Sequence, residues 1–213
     1  MNNKNVVERD RDGNITKEIR YDGKGEVLFT HVTEWKDGRI VRKTSYDAKG
    51  AETGSCEYEY DERGNNIKGS WFVYNKGFLM EAEFVYDPED RIIEKTHFGK
   101  GSIATNKTYY TYNAEGKILC EEYYGAWPDC APCYTYNEYG SDGVLVKSRT
   151  EDENHNLQHY ELYRSNESGK ISEYTSYDEK GKALYSYKYY FDAEGNKTKT
   201  ERYDGDGKLV SST

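Results

Sequence analysis

The chain has 213 residues, of which Ile, Leu, Val and Phe together make 33 and Tyr alone makes 23. So few aliphatics, with 32% charged residues and a mean hydropathy of −1.09, exclude an ordinary thick apolar core, and the tyrosines exclude simple disorder, whose chains are poor in aromatics. The net charge of −9 comes from 39 acidic and 30 basic residues mixed along the whole length; no Lys/Arg stripe tracks a phosphate backbone, so no nucleic-acid partner is expected.

The first residues, Met1 to Asp10, hold no apolar run of the kind a secretory signal needs. No later segment approaches the roughly 20 apolar residues of a membrane-spanning helix. These observations predict a cytoplasmic location and no membrane insertion, or a secreted or surface location if the chain is a piece of a larger protein. In a cytosol the four cysteines would be reduced.

From there one phrase recurs: an aromatic, Asp or Asn, two variable residues, Gly, one more, then an aliphatic. It reads Tyr21-Asp22-Gly23-Lys24-Gly25-Glu26-Val27, returns as Tyr112-Asn113-Ala114-Glu115-Gly116-Lys117-Ile118 and again as Tyr203-Asp204-Gly205-Asp206-Gly207-Lys208-Leu209. Looser copies begin at Tyr46, Tyr60, Tyr177 and Phe191, shorter ones at Trp35 and Tyr74, and the copy at Tyr86 has Asp90 where Gly is expected. The glycine positions run 13, 25, 38, 50, 64, 77, 90, 101, 116, 143, about 155, 169, 181, 195 and 207. Two aromatic series each repeat at about 26 residues, one through Tyr21, Tyr46, Tyr74, Phe98, Tyr124, Tyr177 and Tyr203, the other through Tyr60, Tyr86, Tyr112, Tyr136, Tyr163 and Phe191. The period is a double unit of two strands and two turns.

Asp or Asn followed by Gly is turn chemistry, because the side chain bonds its own backbone and Gly supplies positive φ. Between turns the residues alternate as a strand does; Ile15, Ile19 and Tyr21 share one face, and Tyr185, Tyr187, Tyr189 and Phe191 form a ladder. Pro88, Pro128 and Pro132 all fall in expected turns. The chain therefore reads as all-β, a single hairpin-repeat domain over 1–213. About eight 26-residue repeats of consecutive antiparallel hairpins form a twisted, curled or spiral sheet without significant helix. The in-phase tyrosines, Tyr60, Tyr86 and Tyr112 among them, are expected to form most of its thin core.

The phrase Tyr-Asp-x-x-Gly-x-aliphatic followed by a Tyr-x-Tyr strand resembles the YD repeats of bacterial RHS proteins and of teneurins. Tyr58-Glu59-Tyr60-Asp61-Glu62-Arg63-Gly64-Asn65 is the nearest segment, with Tyr189-Tyr190-Phe191-Asp192-Ala193-Glu194-Gly195-Asn196 behind it. The resemblance implies a β-sheet array that, in long family members, spirals into an encapsulating shell. This chain is too short for such a shell and lacks the family's Asp-Pro-x-Gly self-cleavage signature, since Asp87-Pro88 continues as Glu89-Asp90. Hairpin repeats of cell-wall (choline-binding) and MORN-variant type are similar at lower resolution.

The repeat breaks between about 120 and 140, where the chain reads Tyr123-Tyr124-Gly125-Ala126-Trp127-Pro128-Asp129-Cys130-Ala131-Pro132-Cys133. Cys130 and Cys133, with Cys120 one strand earlier, could be a structural turn, part of a metal knuckle or a redox pair. His155 and His159 lack the Glu of a His-Glu-x-x-His motif. The Asp-rich turns at Asp10 and Asp204 lack the twelfth-position Glu of a calcium loop. Tyrosines out of phase with the repeat, Tyr109, Tyr123, Tyr134, Tyr139, Tyr174 and Tyr190, together with Trp127, are the candidate binding residues. Taken together these features predict a non-enzymatic binding protein that needs no cofactor. Its expected partner is another protein, with a glycan or cell-surface ligand as the alternative and a metal or thiol site at Cys120, Cys130 and Cys133 as a weaker one.

Overall fold

A computed structural model describes residues 3–74, 78–126 and 130–213. Among these residues the chain forms seventeen β-strands and no α-helix: β1 (Lys4–Arg9), β2 (Ile15–Tyr21), β3 (Val27–Lys36), β4 (Arg39–Asp47), β5 (Glu52–Tyr60), β6 (Asn66–Val73), β7 (Phe78–Tyr86), β8 (Ile92–Phe98), β9 (Ala104–Tyr112), β10 (Ile118–Gly125), β11 (Cys133–Tyr139), β12 (Leu145–Glu151), β13 (Leu157–Ser165), β14 (Ile171–Asp178), β15 (Ala183–Phe191), β16 (Lys197–Asp204) and β17 (Leu209–Ser212). No helix among them is long and apolar enough to cross a membrane. The chain divides into two compact units, the first built chiefly on residues up to Lys107 and the second on residues from Thr108 onward.

In the first unit, β1 to β8 pair each with the next in antiparallel register. In the second, β10 to β17 do the same. The extensive strand contacts within each unit join sequence neighbours, so each unit is one layer thick.

The recurring phrase builds one recurring turn. At the first, the Gly13 N–H donates to Asp10 O at 3.2 Å and the Asp10 N–H donates to Asn14 O at 3.0 Å, a type I turn closed by a bulge residue at positive φ. The Asp10 carboxylate accepts the N–H groups of Asp12 and Asn14, both at 2.9 Å. Asp22, Asp47, Asp87, Asn166, Asp178 and Asp204 repeat this pair of bonds. Bonds from Asn14 onto Asp10, and from Asn156 onto Asp152, hold both carboxyls below the ordinary carboxylate range. The bulge shifts the ladder register by one residue beside each turn, as between Arg20 and Tyr21.

Among the described residues three turns reach the bulge without glycine there. Asp90 (φ 62) and His155 (φ 60) take its place outright, and in the turn after β8 the bulge residue is Ser102 (φ 56) rather than the expected Gly101. A left-handed residue with a Cβ costs roughly 1–2 kcal/mol. At Asp90 this is offset by Asn65 Nδ2 donating to its carboxylate at 2.7 Å and by Arg63 at 2.8 Å. The short copy after Trp35 is a two-residue Asp37-Gly38 hairpin with both residues at positive φ.

The aromatic before each turn explains why the period is a double unit. In the first unit the Tyr60 hydroxyl donates to Ile40 O at 2.8 Å, Tyr86 to Asn66 O at 2.8 Å, and the Trp35 indole N–H to Ile15 O at 2.9 Å. Each bond crosses two strands, from one turn to the equivalent turn a unit earlier. A cation just past the earlier turn often caps the same ring: Arg39 over Tyr60 at 5.7 Å, and in the second unit Lys117 over Tyr139 at 5.3 Å and Lys170 over Phe191 at 5.5 Å.

The expected core is thin indeed. Among the described residues Ala82, 1% exposed, is the one buried hydrophobic side chain; the other buried residues are Thr44, Gly69, Thr96, Thr108, Ser176 and Glu201. Small side chains disappear beneath large neighbours, while the large ones form a shell covered on one flank. Half-covering a tyrosine still contributes about 2 kcal/mol by removed apolar area, so many such residues hold a sheet that has no second layer.

Candidate functional site

In an antiparallel ladder, directly paired residues share a face. In the second unit, Cys120, Tyr136, Arg149, Tyr160 and Tyr177 pair in sequence across five strands and mark one face. Tyr163, Tyr174, Tyr187 and Arg202 pair across β13 to β16 and mark the opposite face.

The Tyr174 face carries the densest aromatic cluster. Around the Tyr174 ring stand Tyr187 at 5.3 Å and 16°, Tyr163 at 5.7 Å, Tyr185 edge-on at 6.2 Å and Tyr189 at 6.5 Å. Tyr187 and Tyr189 stack in turn at 6.3 Å and 13°. All five rings are half-buried. Glu161 lies on the same face, opposite Ser176 and Tyr185, and accepts the Tyr163 hydroxyl. Burial, then this bond, push the Tyr163 hydroxyl above the usual tyrosine range; burial and the neighbouring Tyr185 push Tyr174 up to about 12. Both hydroxyls are therefore neutral donors at physiological pH.

The Tyr136 face gathers several predicted residues near the break in the repeat. The Tyr109 ring meets Tyr124 edge-on at 6.3 Å, and the Tyr124 hydroxyl donates to Glu122 at 2.7 Å, which pushes it up to about 12. Tyr134 pairs with Glu122, stacks on Tyr136 at 6.3 Å and lies 4.7 Å from the His155 ring. Arg149 sits 4.5 Å above Tyr136 and pairs with Glu151 at 2.8 Å and Glu138 at 3.2 Å. Farther along this face, Tyr190 and Tyr203 both donate to Glu201 at 2.6 Å, and Lys199 pairs with the same carboxylate. Lys199, Tyr190 and Tyr203 bring Glu201 down to about 2.

The predicted binding residues are thus dispersed. Tyr109, Tyr134 and Tyr190 lie on the Tyr136 face, Tyr174 at the centre of the opposite one. Tyr123 pairs with Cys133, also on the Tyr174 face, and is 39% exposed. Trp127 lies outside the described residues. Tyr139, expected to be out of phase, is in phase: its hydroxyl donates to Ile118 O at 2.9 Å, the clip that Tyr60 and Tyr86 make. The expected series ran through Tyr136 and Tyr163, but the residues preceding the turns are Tyr139 and Ser165, because those turns open at Gly140 and Asn166. Sequence reasoning counted Tyr163, Tyr185, Tyr187 and Tyr189 as core and passed over Glu161. The turn at Asn166 already holds the missing signal, since closing Ser165 against Ile171 forces Tyr163 beside Tyr174.

The cysteine alternative does not assemble. All four cysteines are unpaired. Cys120 pairs with Tyr136 and Cys133 with Tyr123, so strand alternation puts the two thiols on opposite faces, and one ion cannot take both. Among the described residues no three His, Cys, Asp or Glu side chains converge as metal ligands. Burial pushes the Cys120 and Cys133 thiols up, away from the thiolate a redox pair requires.

No protein-family model matches the chain, and no curated protein matches it. Among solved structures the chain is similar to the crystal structure of TcdB2-TccC3-Cdc42, with 13% identity and a TM-score of 0.42 over 97% of this chain and 14% of that one. It is similar to the crystal structure of TcdB2-TccC3 without its hypervariable C-terminal region, with 13% identity and a TM-score of 0.46 over 98% and 13%. A porin-like protein from Bacteroides uniformis ATCC 8492 aligns with 10% identity and a TM-score of 0.45 over 93% and 87%. The chain spans 14% and 13% of the first two chains. At these identities and TM-scores the likenesses identify no family, and the resemblance to YD repeats stands on the turn phrase itself.

Proposed function

We propose that this β-repeat protein is a non-enzymatic binding protein whose tyrosine face on β13 to β15 takes another protein, in an inhibitor, adaptor or immunity-type role. The observation that carries the reading is the cluster of five half-buried tyrosines around Tyr174, on a sheet one layer thick. Tyrosine gives large contact area at low conformational cost and keeps a hydroxyl for hydrogen bonding, the profile of residues that anchor protein interfaces. The non-enzymatic part draws support from Cys120 and Cys133, whose thiols are partly buried and for that reason raised above the ordinary cysteine range.

Affinity capture from the native cell, run in parallel with wild type and Tyr187→Ser, tests this. A protein retained by wild type and lost by the folded variant is the expected result. Identical capture by both would overturn the reading, and selective hits for wild type on a glycan array would replace it with the sugar-binding alternative.

A further inference from the structure

Besides the Tyr124–Glu122 pair, three clusters in the second unit combine tyrosines with carboxylates, and two of them contain their own cation. At Glu201, Tyr190 and Tyr203 donate to the carboxylate and Lys199 neutralises it. At Tyr136, Arg149 stacks on the ring and pairs with Glu138 and Glu151. The third is Glu161, which accepts the Tyr163 hydroxyl and has no ion-pair partner among the described residues. Beside it on the same face stand Tyr163, Tyr174 and Tyr185, with Tyr187 and Tyr189 stacked beyond them.

We propose that the Glu161 cluster binds a basic side chain, Arg foremost, presented by a protein partner. The proposal rests on the reading of the tyrosine face given above and names the chemistry of what that face receives. A half-buried carboxylate attracts a countercharge more strongly than one in open water, because less solvent screens it. The faces of the surrounding rings are electron-rich and add to that attraction. The protein's own cations already use the margin of the cluster in this way, with Arg202 5.8 Å from the Tyr185 centroid and Lys197 5.3 Å from that of Tyr189. The Glu161 carboxylate, beside Tyr163, is left to a cation from outside. The rings of Tyr174, Tyr187 and Tyr189 lie 13° to 29° from parallel, which suits the flat guanidinium better than a point-like ammonium. The net charge of −9 favours a basic partner during approach. The other charged or titratable side chains placed on this face include Glu121, His159, Asp178 and Asp204, so its further carboxylates disfavour an anionic ligand.

The test uses protein with ring-labelled tyrosine, titrated with tri-arginine and with tri-citrulline, its neutral counterpart of the same shape. Tri-arginine should shift the Tyr163, Tyr174 and Tyr187 ring signals saturably and tri-citrulline should not. Glu161→Gln should weaken the binding by about tenfold, the order of a charge-assisted contact, whereas Tyr190→Phe on the opposite face should not change it. Equal shifts from both peptides, or unchanged binding by folded Glu161→Gln, would overturn the proposal. Partner capture separates this failure from failure of the tyrosine-face reading. If Tyr187→Ser loses the partner and Glu161→Gln keeps it, the face is right and the cation is wrong; if both keep it, both are wrong.

Discussion

Glu201 and Glu161 both accept tyrosine hydroxyls within the second unit and are finished differently. Glu201, 7% exposed, takes two tyrosine hydroxyls and a lysine. Glu161 takes one hydroxyl and sits in a denser field of rings, where Lys197 and Arg202 lie over rings at the margin and no lysine or arginine among the described residues pairs with the carboxylate. In the Glu201 cluster the charge is spent inside the protein, and the outcome is stability. In the Glu161 cluster the rings hold one another while the carboxylate's charge stays unmatched, a condition that stabilises little and recognises well. The contrast shows that tyrosine in this chain serves two ends at once, and that the presence or absence of one lysine decides which.

The largest expected effect strikes the rings. Tyr187 stacks on both Tyr174 and Tyr189, and its replacement by alanine removes about half the contact area of a fully buried aromatic. Urea unfolding should show a loss of about 2 kcal/mol, half the usual cost of deleting a core aromatic. A loss near zero would mean that the cluster does not pack as a unit, and the contrast with Glu201 would collapse.

Acid should come next. Glu201 is brought from its ordinary 4.5 down to about 2 by Lys199, Tyr190 and Tyr203. A carboxyl held lower in the fold than in the unfolded chain stabilises the fold above its unfolded value, and that contribution disappears as pH falls through the folded one. Wild type should lose stability between about pH 4.5 and 2, and Glu201→Gln should start less stable at neutral pH and fall less steeply, as followed by urea midpoints across the range. At the alkaline end the sign reverses. Tyr174 and Tyr203, both raised from 10.0 to about 12, stabilise the fold below pH 10 and lose that contribution as pH rises toward 12. Absorbance of tyrosinate should therefore lag behind that of free tyrosine and then rise together with unfolding.

Much of this fold was legible because its determinants are local. Asp10 and Gly13 make a turn from four consecutive residues, and the alternation between turns needs no distant partner. The resemblance to YD repeats rests on that same local phrase. What escaped the sequence is the pairing across strands. Tyr136 has the right spacing by eye, yet the turn opens at Gly140, a glycine in the place of the usual Asp, and so Tyr139 makes the clip. The candidate site moved for a similar reason: a broken repeat attracts notice at Cys130 and Trp127, whereas the cluster at Tyr174 comes from three regular strands whose registers add up. Charge matching was half legible: Lys199 stands two residues before Glu201 in the sequence, whereas the surroundings of Glu161 depend on its cross-strand partners Ser176 and Tyr185.

A smaller effect separates clips from surface rings. Tyr86→Phe removes the bond to Asn66 O and should cost about 1 kcal/mol, the net worth of one hydrogen bond. Tyr123→Phe, at an exposed ring, should leave the urea midpoint where it is. Equal losses would show that the in-phase tyrosines have no special share in holding the repeat together.

The smallest effect is the most exacting for the contrast itself. Glu161→Gln keeps an oxygen that can accept the Tyr163 hydroxyl and deletes a charge that no cation of the chain matches. Its stability at neutral pH should stay within about 0.5 kcal/mol of wild type, as for substitutions away from any paired or packed feature. Glu201→Gln, by the same chemical change, should fall measurably below wild type because Lys199 loses its partner. Measured side by side, the two variants differ in whether a cation and a second tyrosine hydroxyl were there to lose. If Glu161→Gln falls as far as Glu201→Gln, the Glu161 charge is already matched within the protein, and no room is left at that carboxylate for a partner's arginine.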